Sequence, residues 1–311
     1  MFATFLLAAT LAATQPTMRA VQIERFGGPE VLRVATVPRP TASAGELLVR
    51  VHAASVNPVD TYTRMGQTVD FTGAKLPYIP GFDISGVVDS VGEGVTSFRK
   101  GDAVMAMLDL RRGGGYAEYV VVKESEAAKK PKGWSHEEAA AVPLTALTAW
   151  QALFDTAKLE KGQSVLIHAG AGGVGSMAIQ LAKWKGAKVI ATASASNHDY
   201  LRKLGADVII DYQTQKFEEL VKDVDVVLDP IGGATQARSV PLLKNGGTLV
   251  ALLGLGGTAR KSTTINAQAI LVHPDGAQLA RIATIVKPVV THTFRLDEVK
   301  NAHVQSETAR T

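Results

Sequence analysis

The 311-residue chain has no cysteine, which excludes disulfides, thiolate catalysis and every cysteine-ligated metal centre. A zinc ion would have to be held by histidine and carboxylate alone. Aromatic residues make up only 6% of the chain and the net charge is a modest +4. The densest basic run is Lys129, Lys130, Pro131 and Lys132, too little for a nucleic-acid footprint and read as a solvated face. Long apolar runs are missing too. The most apolar stretch, residues 2–13, has the length of a signal-peptide core, is too short to span a bilayer, and is preceded by no Lys or Arg. It is read as an extension, residues 1–17, ahead of an internal start at Met18, with an export signal as the alternative. The expectation is a cytoplasmic protein with no membrane span and no nucleic-acid partner.

What the chain does have is glycine, 29 residues of it, gathered into short motifs rather than a repeat. From Met18 the apolar residues alternate with period two, over 20–23, 31–34 and 47–51, each bounded by Gly or Pro. Further short strands are expected over 86–91, 103–105 and 119–122, and their close spacing suggests a compact, barrel-like domain. The character changes at Ser135, where Ser135-His136-Glu137-Glu138 is a capping-box pattern for a helix start. Apolar strands then alternate with helical segments: strands at 164–168, 188–192, 207–211, 224–229 and 248–253, helices at about 197–204, 214–222 and 234–243. Near-continuous apolar strands separated by helices predict a parallel sheet covered on both faces. The fold class is therefore α/β, with a β-rich domain over 18–140, a doubly wound Rossmann domain over 141–270, and a tail over 271–311 that returns to the first. In that tail a strand is expected at 289–294 and a helix from Leu296 to about Ser306.

Between the strand ending at His168 and the helix opening near Val174 stands Ala169-Gly170-Ala171-Gly172-Gly173-Val174-Gly175. Gly170, Gly172 and Gly175 form G-x-G-x-x-G, in which the first glycine is expected to permit the tight turn, the second to let backbone approach a pyrophosphate, and the third to let helix pack on strand. The helix start supplies N–H groups and positive potential to the anion. A dinucleotide site specific for NAD carries a carboxylate about 20 residues on. Here the chain reads Ala193-Ser194-Ala195-Ser196-Asn197-His198. Hydroxyl and amide donors with no carboxylate to repel a 2′-phosphate favour NADPH. Arg202 and Lys203 lie one to two turns further on.

The sequence resembles the zinc-independent quinone oxidoreductases of the medium-chain dehydrogenase/reductase superfamily from Met18 to its end. The likeness rests on Ala54-Ser55-Val56-Asn57-Pro58-Val59-Asp60, Pro80-Gly81-Phe82-Asp83 with Gly86, Val91-Gly92-Glu93-Gly94-Val95 with Lys100-Gly101-Asp102, Pro143 to Trp150, and the glycine loop. It implies a GroES-like first domain, a homodimer, and hydride transfer from NADPH to a quinone or an α,β-unsaturated carbonyl. A trans-enoyl thioester reductase and a non-enzymatic NADPH-binding protein are the alternatives. It also implies that Asn57 and Tyr62 line the cleft beside the nicotinamide, with Tyr62 nearest the acceptor oxygen, and that Thr145 contacts the carboxamide or phosphate side. Leu253 and Gly254 would meet the nicotinamide, and Tyr212 would stand near the adenosine phosphate.

The sequence departs from that pattern in several places. Zinc-containing relatives place a cysteine near Asn57, a His-Glu pair near Phe82-Asp83, and a four-cysteine lobe elsewhere; none is present. No histidine pair has i, i+4 spacing with an acid between, so no metal is expected, and His168 reads as a hydrogen-bonded strand-end residue. Asn197 stands where many members have a lysine for the 2′-phosphate. The stretch 279–288 looks shortened, and relatives continue past Thr311 with a further strand.

Overall fold

The computed structural model describes residues 15–308. The apolar stretch over 2–13 lies outside them. The first half is built from strands: β1 (Thr17–Gln22), β2 (Arg33–Pro38), β3 (Glu46–Ser55), β4 (Asp83–Val91), β5 (Ala103–Met107), β6 (Tyr119–Lys123) and β7 (Ala127–Lys129). β1 and β2 form an antiparallel pair, and the other five form an antiparallel sheet ordered β6-β3-β4-β5-β7. The alternation read from the sequence is the reason. Leu47 and Val49 point one way with Ile84, Val88, Val104 and Val122, all buried in one cluster, which fixes the register because a one-residue slip would turn that set to water.

The second half is a six-stranded parallel sheet of β8 (Ser164–Ile167), β9 (Lys188–Ala193), β10 (Val208–Asp211), β11 (Val224–Asp229), β12 (Leu243–Ala251) and β13 (Asn266–Ala269). Its order is β10-β9-β8-β11-β12-β13. Numbered from β8, that is the Rossmann order 3-2-1-4-5-6, in which the direction of winding reverses between the first strand and the fourth, and a crevice opens at their carboxyl ends. Every residue of β9 after Lys188 is buried, as a strand covered on both faces requires. The helix Gly173–Lys185 buries Met177, Ala178, Leu181 and Ala182 at helical spacing and ends at Gly186 in the left-handed region.

The two sheets share a core. Met105 and Met107 of the first, with Phe82 just before β4, belong to one buried cluster with Val165, Ile167 and Val189 of the second, through Val142, Leu147 and Leu153. The helix Pro143–Trp150, buried along its whole length, stands between them. After β13 the chain packs back on the first half: helix Gly276–Ile282 lies against β7, and helix Val299–Glu307 lies against helix Pro58–Arg64. The fully buried Arg64 fastens that last contact, its Nε donating to Gly27 O at 3.0 Å and its Nη2 to Glu307.

Three expectations fail locally. Residues 31–34 are not one strand: Pro29 opens a 3-10 turn over Pro29–Val31 and β2 begins at Arg33. The helix expected to reach 243 ends at Ser239, because Pro241 cannot continue it, and Leu243 already belongs to β12. The tail has no strand at 289–294. Its β-branched residues invite one, but a strand needs a ladder partner, and a cleft of about 570 Å³ separates residues 290–294 from β3.

Candidate active site

The glycine loop lies at the carboxyl end of β8, beside the reversal of strand order. Its glycines divide the work differently from the sequence reading. Gly170 is not the left-handed residue of the turn; Ala169 is, at φ 49°. Gly170 is small for packing, since a Cβ there would fall 2.9 Å from Leu201 Cδ2 and 3.0 Å from Ala191 Cβ. At Gly175 a Cβ would meet the carbonyl oxygen of Ala169 at 2.2 Å, so helix and loop touch backbone to backbone. At Gly172 it would meet only Ala169 O, at 3.3 Å, and otherwise open space. Gly172 is also the N-cap, with no side chain to bond the helix start. The N–H groups of Gly173, Val174 and Gly175 have no acceptor inside the helix. An open, positive, uncapped helix start of this kind fits a pyrophosphate.

Thr145 belongs to the same place. Its Oγ1 donates back to Val142 O at 3.1 Å, which turns its methyl toward Gly173, where a Cβ would fall 2.8 Å from Thr145 Cγ2. At the end of β9, Asn197 Nδ2 donates to Ser194 Oγ at 3.2 Å, and Ser194 and Ser196 hydroxyls are 3.1 Å apart. Tyr212 N donates to Ala193 O, which brings this residue, 58% exposed, next to the end of β9. Arg202 is paired with Asp199 and does not join it. Leu253, 60% exposed, and Gly254, at φ 87°, follow β12. Thus Thr145, the loop and the ends of β9 and β12 lie along one edge of the parallel sheet.

The residues from the first sheet differ in kind. Helix Pro58–Arg64 opens with Asn57 as N-cap and Pro58 at its first position, and Asp60 accepts from Asn57 N at 2.8 Å. Asn57 is only 4% exposed, and its Nδ2 donates to Asp83 Oδ2 at 2.9 Å and to Ser55 Oγ at 3.1 Å. The donor end of that amide is therefore committed inside the protein. Tyr62, one turn along, is 38% exposed and its hydroxyl has no hydrogen-bond partner among the described residues. Neither residue lines the 570 Å³ cleft, which is walled by β3, residues 115–118 and residues 290–306 and holds no residue of the glycine loop.

Residues 43–132 match the alcohol dehydrogenase GroES-like domain family, and residues 173–274 the zinc-binding dehydrogenase family. A 2-methylene-furan-3-one reductase of Solanum lycopersicum is 36% identical over 94% of this chain and 77% of its own. Among solved structures, the quinone oxidoreductase from Coxiella burnetii superposes with a TM-score of 0.87 at 36% identity, covering 95% of this chain and 97% of that one. A mycobacterial protein complexed with NADPH superposes at 0.82 and 29% identity, covering 94% and 97%. The chain belongs to the quinone oxidoreductase family of medium-chain dehydrogenases/reductases.

As a member of that oxidoreductase family the chain takes a nicotinamide cofactor, and its site contains groups that sequence reasoning missed. Asp229, at the end of β11, is fully buried; its Oδ1 accepts from Ile231 N and Gly232 N at 3.0 and 2.9 Å. Its Oδ2 accepts from Gln236, whose amide also donates to Gly254 O at 3.1 Å and accepts from Gly256 N at 2.6 Å. One buried amide thus ties the loop after β11 to the loop after β12. Only the polar pair Asp229 and Gln236, i and i+7 around a double glycine, hinted at it. His168, by contrast, is where the sequence put it: buried, with Nδ1 3.2 Å from Thr192 Oγ1 and Nε2 2.8 Å from Ser239 Oγ. Burial lowers its pKa to about 4, so it is neutral. In the first sheet, burial raises Asp60 to about 8 and Asp83 to about 7. No three His, Asp or Glu side chains gather as metal ligands among the described residues, and no described helix is long and apolar enough to cross a membrane.

Proposed function

We propose that this oxidoreductase uses NADPH, without a metal, to reduce a quinone or an α,β-unsaturated carbonyl. The observation that carries the reading is the open helix start at Gly172, with Ser194 and Asn197 rather than a carboxylate at the end of β9. Gly173, Val174 and Gly175 bind the pyrophosphate through their N–H groups. Ser194 and Asn197 donate to the 2′-phosphate, with Tyr212 flanking the adenosine. Thr145, Leu253 and Gly254 hold the nicotinamide. When bound, the cofactor supplies a hydride from its nicotinamide ring. Tyr62 donates a hydrogen bond to the acceptor oxygen as negative charge develops there, as a neutral phenol can. The donor end of Asn57 faces Asp83, so Asn57 orients the cleft wall and leaves that task to Tyr62.

Conjugation in the acceptor lowers the barrier that an isolated carbonyl would need a Lewis acid to overcome. The donor chemistry agrees: at the positions implied for zinc ligands stand an amide, a phenyl ring and one carboxylate whose oxygens already accept from Asn57, Ser55 and Leu144. We assign residues 18–140 and 271–311 to the acceptor side and 141–270 to the cofactor side, in a cytoplasmic homodimer. The outer edge of β13, which has no strand partner among the described residues, supports self-association, and sedimentation at several concentrations checks it. The test of function is steady-state oxidation of NADPH against quinones, enones and enoyl thioesters, before and after exhaustive chelation. Turnover of quinones or enones that survives chelation is expected. Turnover of enoyl thioesters alone, or restoration only by added zinc, would overturn the reading.

A further inference from the structure

Asp83 is the first residue of β4, lies opposite Ser55 of β3 in the sheet, and is fully buried. A fully buried carboxylate carries a large desolvation cost and persists only with several donors. Its donors come from two distant parts of the molecule. Oδ2 accepts from Ser55 Oγ and from Asn57 Nδ2, both at 2.9 Å. Oδ1 accepts from Leu144 N at 2.9 Å. Leu144 is in the first turn of helix Pro143–Trp150, whose N-cap, Val142, makes no side-chain cap bond. Asp83 therefore supplies, from 61 residues away, an acceptor that this helix start needs. The next residue is Thr145, whose methyl rests against Gly173 of the glycine loop.

We propose that Asp83 is a positioning residue that sets the distance between the acceptor-side wall and the nicotinamide, by holding Asn57 on one carboxylate oxygen and the Thr145 helix on the other. The proposal rests on the reductase reading above. A cap alone would need one oxygen, whereas here both oxygens accept, one from Ser55 and Asn57 and the other from Leu144. What the geometry adds is that the side chain holding Asn57 also fixes the helix that touches the cofactor loop. Asp83 touches neither cofactor nor acceptor, so its effect should appear in the chemical step and not in cofactor affinity.

The experiment compares the full chain with Asp83→Asn and Asn57→Ala, using NADPH titrations, kcat and KM, and the isotope effect of NADPH deuterated at the transferred position. Both variants should bind NADPH within about threefold of the parent while kcat falls by about thirtyfold or more, which is about 2 kcal/mol of misalignment. The isotope effect on kcat should rise, and the double variant should lose little more than Asp83→Asn alone. An unchanged isotope effect, or losses that track the folded fraction, would overturn the proposal. Should Asp83→Asn fail to fold, Asn57→Ala decides it through the same isotope effect. Amide exchange separates this proposal from the reaction: NADPH should slow exchange in residues 53–57 of the parent and not of Asp83→Asn. Protection confined to the glycine loop, or retained in the variant, refutes the joint. Coupled protection in a parent that reduces no acceptor would keep the joint and refute the reductase reading.

Discussion

The carboxyl edge of the parallel sheet and the buried knot around Asp83 are built on opposite plans. At the sheet edge the groups proposed to hold the cofactor are backbone N–H and small side chains left open: Gly172 with space beside it, Ser194 half-buried, Tyr212 and Leu253 exposed. At the knot they are polar side chains taken out of water and bonded to one another: the carboxyls of Asp60 and Asp83 and the amide of Asn57. An edge of the first kind binds a long charged cofactor without rearranging, because the dipole and the N–H groups are already aimed. A knot of the second kind binds nothing itself and holds geometry.

Four perturbations sharpen the contrast. The largest concerns two glycines of one loop. Gly175→Val drives a side chain into the backbone of Ala169 and Gly170 and should destabilise the fold by about 3 kcal/mol or more, read as a lowered Tm. Gly172→Val meets only the carbonyl oxygen of Ala169, 3.3 Å from its Cβ, and otherwise open space, so Tm should fall much less than for Gly175→Val while NADPH affinity falls by about a hundredfold or more, as expected for losing one or two charge-assisted bonds. If the two variants behave alike, the loop is a turn and not a cradle.

Next is cofactor choice. One good contact from Ser194 or Asn197 to the 2′-phosphate predicts a preference for NADPH over NADH of about tenfold to a hundredfold in kcat/KM, toward the lower end without a lysine. The position to test is Ser194, the first residue after the strand, since Ala193 is a buried strand residue. Ser194→Asp should reverse the preference. Equal kcat/KM in the parent would remove the 2′-phosphate site.

The third effect is smaller. Tyr62→Phe should lower enone turnover by about tenfold, and at most about a hundredfold, with quinone turnover less affected and NADPH affinity and Tm unchanged, because the hydroxyl bonds no other described residue. A fall in Tm instead would make Tyr62 a packing residue.

The smallest is in the pH dependence of stability, where the two regions pull in opposite directions. His168, lowered to about 4 in the fold, stabilises above its unfolded value near 6.5, and that contribution is lost as pH falls toward 4, where the unfolded state binds the proton first. Asp60 and Asp83, raised to about 8 and 7, stabilise fully below about 4 and lose that contribution as pH rises through 7 and 8. In the parent these slopes oppose each other between pH 4 and 6.5. Denaturation across that range should show His168→Gln gaining relative stability on the acid side and Asp60→Asn on the alkaline side. Parallel shifts at every pH would contradict both assignments.

The sheet edge was largely legible because its signals are local. A strand, three spaced glycines and a helical stripe occupy consecutive residues, and the absence of a carboxylate after β9 is read from one hexapeptide. The serine cap at Ser135 was legible for the same reason, with its oxygen accepting from Glu138 N at 3.1 Å. The knot was not. Asp83 meets Asn57 across 26 residues and Leu144 across 61, and nothing in either segment alone marks the contact. Ala169 in the left-handed region was equally hidden, because the eye assigns the turn to the neighbouring glycine. Residues 289–294 mislead in the other direction: their composition fits a strand, but pairing depends on an edge that lies across the cleft from them.

The most direct test of the central claim follows the hydride itself. NADPH carrying deuterium at C4 of the nicotinamide, prepared as each of the two epimers, is oxidised by the full chain in the presence of an enone. The account predicts that one epimer, and not the other, delivers a single deuterium to the carbon β to the carbonyl. Product free of deuterium from both epimers would contradict it.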